Sequence, residues 1–313
     1  MKKRILSTLV ALACLPSFMS AQEKREVDLA DPYILEENGT YYMYGTGSDA
    51  GIPVMVSKDL KTWKRPEGSG IALHKKDSYG EKWFWAPEVY KVGDRYMMYY
   101  SAQEHICAAF ADSPLGPFIQ EEKKPILEDN GIDNSLYIDK DGKAYIFWVR
   151  FNHGNEIWMA QLDKSLAKIV PGTETFCIKM SQDWEKIWPA VNEGPFILKH
   201  KGVYYLTYSA NSYECPEYGI GYATSKSLQG PWVKYEGNPI LCKTGGLEGV
   251  GHHAFFKDAD GKLKIVFHSH KRPGKIHPRK AHISEVSFKK ARKSQPDILT
   301  ISADFSTPEF VQE

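Results

Sequence analysis

The sequence has no surplus of either charge, few cysteines and, past its first residues, no long apolar run. Lysine and arginine total 40 against 39 aspartate and glutamate in 313 residues, a formal net charge of +1. Nothing in that balance provides the basic field that holds nucleic acid or anionic lipid, so no nucleic-acid partner is expected. The one long apolar run, Ile5 to Ala13, follows Lys2, Lys3 and Arg4 and is too short to span a bilayer, so no membrane span is expected either. It reads as a secretory signal peptide over residues 1–21, ahead of Gln22, Glu23 and Lys24. Lipid anchoring through Cys14 fits less well, because Ala11-Leu12-Ala13 is a poor match to the run that precedes a lipidated cysteine. The mature protein is therefore expected to be exported, in a periplasm or outside the cell. Cys107, Cys177, Cys215 and Cys242 lie far apart with no Cys-x-x-Cys spacing, which argues against structural zinc and leaves disulfides and buried thiols equally open. A sustained helical period is also missing, and the composition excludes disorder, collagen and coiled coil.

What is plentiful is aromatic side chains, 13% of the sequence, and they recur in a pattern. Five segments share one shape, an apolar strand running into a turn glycine and then a second strand rich in aromatics. The first runs from Pro32 through Gly39 to Tyr44, and the second from Pro87 through Gly93 to Met98. The other three are centred on Gly142, Gly202 and Gly261. Each reads as a β-hairpin. The five glycines are spaced by 54, 49, 60 and 59 residues, and each hairpin is followed by another strand-like run, such as Ile52 to Ser57 or Glu156 to Ala160. Strands in repeated groups without helices are the pattern of propeller blades, and the chain after the leader has room for five. The expected fold is all-β, a single five-bladed β-propeller over residues 22–313. A β-sandwich would also suit turn-rich alternating sequence, but it does not account for five hairpins in one register.

In a propeller the innermost strand of each blade lines the central axis, so equivalent positions at its start ring one place. Counting back eight or nine residues from each turn glycine gives Asp31, Trp85, Asp133, Glu193 and His252. Singly, each has an ordinary explanation: Asp31 before Pro32 starts a turn, Asp133 before Asn134 caps one, and Glu193 before Gly194 is a loop carboxylate. His252 and His253 are adjacent, so at most one of them faces the axis. Matching offsets in separate blades favour a shared functional site.

Three axial carboxylates suit glycoside hydrolysis, in which one carboxylic acid protonates the leaving oxygen and a carboxylate activates water or attacks carbon. Crowded like charges in a desolvated pocket keep one member protonated near neutrality while another stays ionised. Aromatic rings offer the flat apolar faces on which sugars stack, and Trp83, Phe84, Trp85, Trp148 and Trp188 are candidates.

The ordered motifs Asp31-Pro32-Tyr33-Ile34, Trp85-Ala86-Pro87-Glu88, Ile132-Asp133-Asn134-Ser135, Glu193-Gly194-Pro195 and Gly251-His252-His253 resemble glycoside hydrolase family 43 over nearly the whole mature chain. The resemblance implies a five-bladed propeller that cleaves arabinofuranosides, xylosides or galactans with inversion. It implies Asp31 as general base, Glu193 as general acid and Asp133 as the residue that raises and orients the acid. It further implies that His252 helps hold a calcium ion or its waters near the axis, although the sequence has no dedicated calcium loop. Trp85 would line the sugar pocket and Arg279 would contact substrate, while Asp133-Asn134 departs from the family's Asp-Pro. The expected activity is that of an exo-acting α-L-arabinofuranosidase on plant cell-wall oligosaccharide or polysaccharide, working as a monomer without an organic cofactor. A β-xylosidase, a β-galactan hydrolase and a non-catalytic carbohydrate-binding propeller are the competing readings.

Overall fold

Tight glycine turns set the unit of this fold. In the first hairpin Tyr33–Glu37 pairs antiparallel with Thr40–Tyr44, and the last pair, Glu37 with Thr40, leaves only Asn38 and Gly39 between the strands. Both have positive φ, 51° and 71°, as a type I′ turn requires, and asparagine and glycine tolerate that region best. The structure, a computed structural model, describes residues 24–292 and 294–312; the expected signal peptide and Cys14 lie outside the described residues.

Each hairpin grows outward into an antiparallel sheet. The first sheet adds Gly51–Ser57 and Ile71–His74. The second holds Trp85–Val92, Arg95–Ala102 and His105–Ala111 and stops at three strands. Gly131–Ile138, Ala144–Phe151, Asn155–Gln161 and Thr175–Ile178 make the third. The fourth is Asn192–His200, Val203–Ala210, Gly219–Ser225 and Val233–Lys234. The fifth is Gly251–Lys257, Leu263–Ser269, Lys280–Lys289 and Ile298–Ser306, so the chain beyond Gln295 supplies this sheet's outermost strand. The innermost strands touch in a closed cycle, each against its neighbours in sequence order and Gly251–Lys257 against Tyr33–Glu37. Together these sheets form a β-propeller.

The expected count of five blades is corrected by a sixth sheet among the described residues. Lys24–Glu26 pairs with Glu309–Val311, which pairs in parallel with Thr62–Trp63. Its strands are only two or three residues long and come from three distant places in the chain. None belongs to a glycine hairpin, so counting turn glycines could not reveal it.

Burial explains the aromatic content. In Arg95–Ala102 the residues do not alternate between core and solvent, because both faces of the sheet are covered. Tyr96, Met98 and Tyr100 enter one apolar cluster and Met97 and Tyr99 the next, so successive side chains serve opposite neighbours. Burying each such ring contributes roughly 1.5–3 kcal/mol. The four cysteines of the described residues are free, and no helix there is long and apolar enough to cross a membrane.

Candidate active site

Every innermost strand starts with the same backbone irregularity. Asp31, Ala86, Asp133, Gly194 and His252 have φ of 50°, 44°, 56°, 55° and 43°. In four of the sheets the pairing register skips there, between Trp85 and Glu88, Ile132 and Ser135, Glu193 and Phe196, and Gly251 and Ala254. These are β-bulges, which bend a strand and re-aim one side chain. Aspartate and histidine visit left-handed backbone more readily than most residues, so the strain is greatest at Ala86.

The bulge redraws the expected ring. Asp31, Asp133 and His252 are equivalent, but Ala86 and Gly194 hold that place in the second and fourth sheets, while Trp85 and Glu193 sit one residue earlier. Counting from glycines misplaced them because the hairpin turns differ in length. Five residues separate Ile138 from Ala144 and Lys257 from Leu263, but two separate Val92 from Arg95 and His200 from Val203.

Asp31 is buried and surrounded by donors. Arg279 donates from its two terminal nitrogens to the two carboxylate oxygens at 2.9 and 3.5 Å, and the Thr46 hydroxyl donates to Oδ2. His252 Nδ1 and His268 Nδ1 lie 3.3 and 3.2 Å from Oδ1. Burial opposes ionisation, but the charge of Arg279, with the two histidines, outweighs it and holds the Asp31 carboxyl well below the usual carboxylate range. Asp31 is therefore a carboxylate. His268, wholly buried and beside the Arg279 charge, is pushed down to about 3 and is neutral.

Glu193 and Asp133 have the opposite electrostatics. Burial, with the Asp31 charge adding to it, pushes Glu193 up to about 7 against hydrogen bonds from Tyr218 and Asn155. Burial and the charges of Glu193 and Asp31 likewise push Asp133 well up, although the Gly194 N–H donates to its Oδ2 at 3.2 Å. The two titrate as a pair, so near neutrality a proton is retained between them. Only a residue at ease with positive φ can present the Gly194 N–H in this way. One donor atom each from Asp133, Glu193 and His252 lie within 4.8 Å of one another.

The structure also brings in residues that no sequence pattern marks. Tyr218 donates its hydroxyl to Glu193 Oε1 at 2.7 Å, and the Asn155 amide donates to Oε2 at 3.3 Å. The Tyr218 ring stacks on His268 at 5.8 Å, and a Cβ on Gly251 would come within 2.2 Å of that ring. The glycine of Gly251-His252-His253 thus makes room for the tyrosine that bonds Glu193. Thr46, Asn155, Tyr218 and His268 lie at the far ends of second and third strands or in loops, where no repeated offset points to them. Tyr218→Phe removes a hydrogen bond to the charged form of Glu193, so the acid's pKa should rise. The alkaline limb of the pH–kcat profile should move upward by a fraction of a unit to about one unit; an unmoved limb would show that this hydroxyl does not act on the acid.

Of the aromatic candidates, Trp85 is half-buried at the mouth with Trp83 stacked on it, 5.6 Å between ring centroids. Trp148 is corrected: it is 1% exposed, inside the apolar cluster between the second and third sheets, and has no face free for a sugar. Its strand is covered on both sides, so alternation did not point it at the pocket. Arg279 is in the site through its pairing with Asp31, and its guanidinium lies over the Tyr213 ring at 4.4 Å.

The expected calcium can be set against the donor chemistry of the axial residues. Calcium takes six to eight oxygen ligands, and the axial cluster offers two carboxylate oxygens and one imidazole nitrogen. The axial cavity beside it, lined by Asp133, Asn134 and His252, also contains Asn134 Oδ1 and Nδ2, buried without a protein partner. These residues suit an ion that keeps much of its water.

Comparison with known proteins agrees with this geometry. A crystal structure described as an endo-1,4-beta-xylanase from Bacteroides thetaiotaomicron VPI-5482 is 44% identical, with a TM-score of 0.87, covering 93% of this chain and all of that one. The extracellular exo-alpha-(1->5)-L-arabinofuranosidase ArbA of Cellvibrio japonicus is 26% identical, over 84% of this chain and 85% of its own. The extracellular endo-alpha-(1->5)-L-arabinanase 2 of Bacillus subtilis is also 26% identical, and the match takes in 75% of this chain but only 56% of that protein's length. The family model of glycosyl hydrolases family 43 matches residues 25–291. With its axial carboxylates and these relatives, the chain belongs to glycosyl hydrolases family 43.

Proposed function

We propose that this glycoside hydrolase is exported and removes α-L-arabinofuranosyl units from plant cell-wall glycans by a single displacement with inversion. One observation carries the reading: at one axial mouth, Asp31 is clamped ionised by Arg279 while Glu193 is held up to about 7 and keeps a proton near neutrality. That is the division of labour an acid and a base need. Glu193 gives its proton to the glycosidic oxygen as the bond from the anomeric carbon to that oxygen breaks. Asp31 takes a proton from the water that attacks the opposite face of the sugar. Asp133 crowds Glu193 and, through the Gly194 N–H, fixes the strand that carries it. Arg279 holds Asp31 in place and in its charged form. Calcium is part of the proposal: His252, Asp133 and Asn134 would hold it with water, and it would supply fixed positive charge beside the carboxylates. Metal analysis of the purified protein, finding one ion per chain, would support it.

The second reading is cleavage of β-xylosidic linkages, favoured by the 44% identical relative that is described as a xylanase. Incubation with arabinan, arabinoxylan, xylan and galactan, with identification of the released sugar and its anomeric form, separates the two. Free arabinose as the inverted anomer is the expected result. Xylose or xylo-oligosaccharide would establish the second reading, and binding without any release would overturn both.

A further inference from the structure

Two tryptophans stand exposed on the face where the innermost strands begin. Trp83 lies two residues ahead of the strand Trp85–Val92, and Trp188 four ahead of Asn192–His200. They are 41% and 60% exposed. Because both lead into innermost strands, they share the mouth with Asp31, Asp133 and Glu193, on either side of the third sheet.

Neither ring is exposed because its backbone is loose. Trp83 has φ of 60°, an unfavourable conformation for a bulky side chain. It is kept there by bonds on both flanks: the Gly47 N–H donates to the Phe84 carbonyl, the Gln103 N–H to the Lys82 carbonyl, and the Glu81 N–H to the Gln103 side chain. The ring lies flat on Trp85, with planes 17° apart, and Trp85 is followed by Ala86, whose N–H donates to the same Thr46 hydroxyl that bonds Asp31. A stack of two rings thus leads from the base to the surface. Lys82 reaches over Trp83 at 3.9 Å from the ring centroid, on a flexible stem that a ligand displaces easily. Trp188 is held by Asn211, a wholly buried residue whose side-chain oxygen accepts from the Ile187 and Trp188 N–H groups and whose amide donates to the Trp184 and Glu217 carbonyls. Beside it Ile187 is 51% exposed.

Rigidly presented, partly exposed indoles give the fold less burial than core rings do, and fixed aromatic faces beside a sugar site are what a pyranose or furanose stacks on without further ordering. We infer that Trp83 and Trp188 grip the glycan chain beyond the sugar being cleaved, so that this site takes a chain of several pentose units in preference to a short glycoside. The occupant is a neutral pentose polysaccharide, the class of substrate that the proposed reaction cleaves. The inference rests on the glycosidase reading of the site and goes beyond it by naming the length of the substrate.

The test compares kcat/KM on arabinan and on xylan with kcat/KM on the matching aryl glycoside, for wild type and for Trp83→Ala, Trp188→Ala and the double variant. The ratio of polymer to aryl glycoside should fall about tenfold in each single variant and further in the double variant, with Trp83→Phe and Trp188→Phe keeping most of it. A ratio within about twofold of wild type in all of them overturns the inference. In parallel, calorimetry on Glu193→Gln with arabino- and xylo-oligosaccharides should show affinity rising with chain length, and the rise should be lost when both tryptophans are alanine. Length dependence that survives in that background also overturns the inference. A protein that binds long chains through these rings yet hydrolyses nothing would instead sink the proposed function and leave this inference standing.

Discussion

Glu193→Gln is expected to lower turnover on arabinosides with poor leaving groups by roughly 10³- to 10⁴-fold, the upper range of what a positioned general acid contributes. The loss should shrink sharply on nitrophenyl glycosides, whose leaving group departs without a proton, and that contrast identifies an acid. Because burial already pushes Glu193 up to about 7, its neutral form is well populated at the working pH, and an amide of the same shape replaces it with little loss of charge. Its carbonyl can still accept from Tyr218. The thermal midpoint should therefore stay within a few degrees of wild type. The wild-type alkaline limb also follows from this group: the proton needed by the leaving oxygen is present below pH 7 and is lost as pH rises through it. Normal turnover of Glu193→Gln on an unactivated glycoside would remove this residue from the mechanism.

Asp31→Asn should be as damaging to catalysis, roughly 10³- to 10⁴-fold, and it should be so for every leaving group. Water must be deprotonated whether or not the departing oxygen needs a proton, so an activated aryl glycoside gives no relief. The two variants should separate again in stability. An asparagine can adopt the left-handed backbone of Asp31, so no new strain enters. Its amide, however, leaves the Arg279 guanidinium without its carboxylate, and removing one partner from a buried ion pair costs about 3–5 kcal/mol. In a chain of this size that is a fall of several degrees in Tm. An Asp31→Asn protein as stable as Glu193→Gln would mean that the Arg279 contact is not the tight pair described above. Retained turnover on aryl glycosides would exclude Asp31 as the base.

Much of this could be read from residues alone, and what could not has identifiable causes. A two-residue turn such as Asn38-Gly39 is written in the local sequence, as are apolar strands on either side of it, so the hairpins and the propeller followed directly. The sixth sheet did not, because its pairing depends on Lys24, Thr62 and Glu309 meeting in space without any local pattern. In the site, Asp31, Asp133, Glu193 and His252 lie eight or nine residues before their turn glycines and could be found together, although Glu193 proves to sit one residue before the equivalent position. Tyr218 and Asn155 reach the same place from strands or loops further out, where side chains of any blade can arrive, and Arg279, also from an outer position, was expected only through the family resemblance. Trp148 shows the converse difficulty: an aromatic residue in a strand buried on both faces looks the same in sequence as one that faces a ligand.

The ring of bulges also bears on how such a site changes over time. Each of the five hairpin sheets has one seat at the axis, and three seats are filled by Asp31, Asp133 and His252. The other two are filled by the methyl of Ala86 and the bare backbone of Gly194. Those small occupants line the narrow axial cavity beside the charged ones, and they belong to sheets in which Trp85 and Glu193 are displaced by one residue. The shape of that cavity can thus be altered at Ala86 without replacing Asp31, Asp133 or Glu193. A lineage can change the space at the axis through such a seat while its three carboxylates stay where they are.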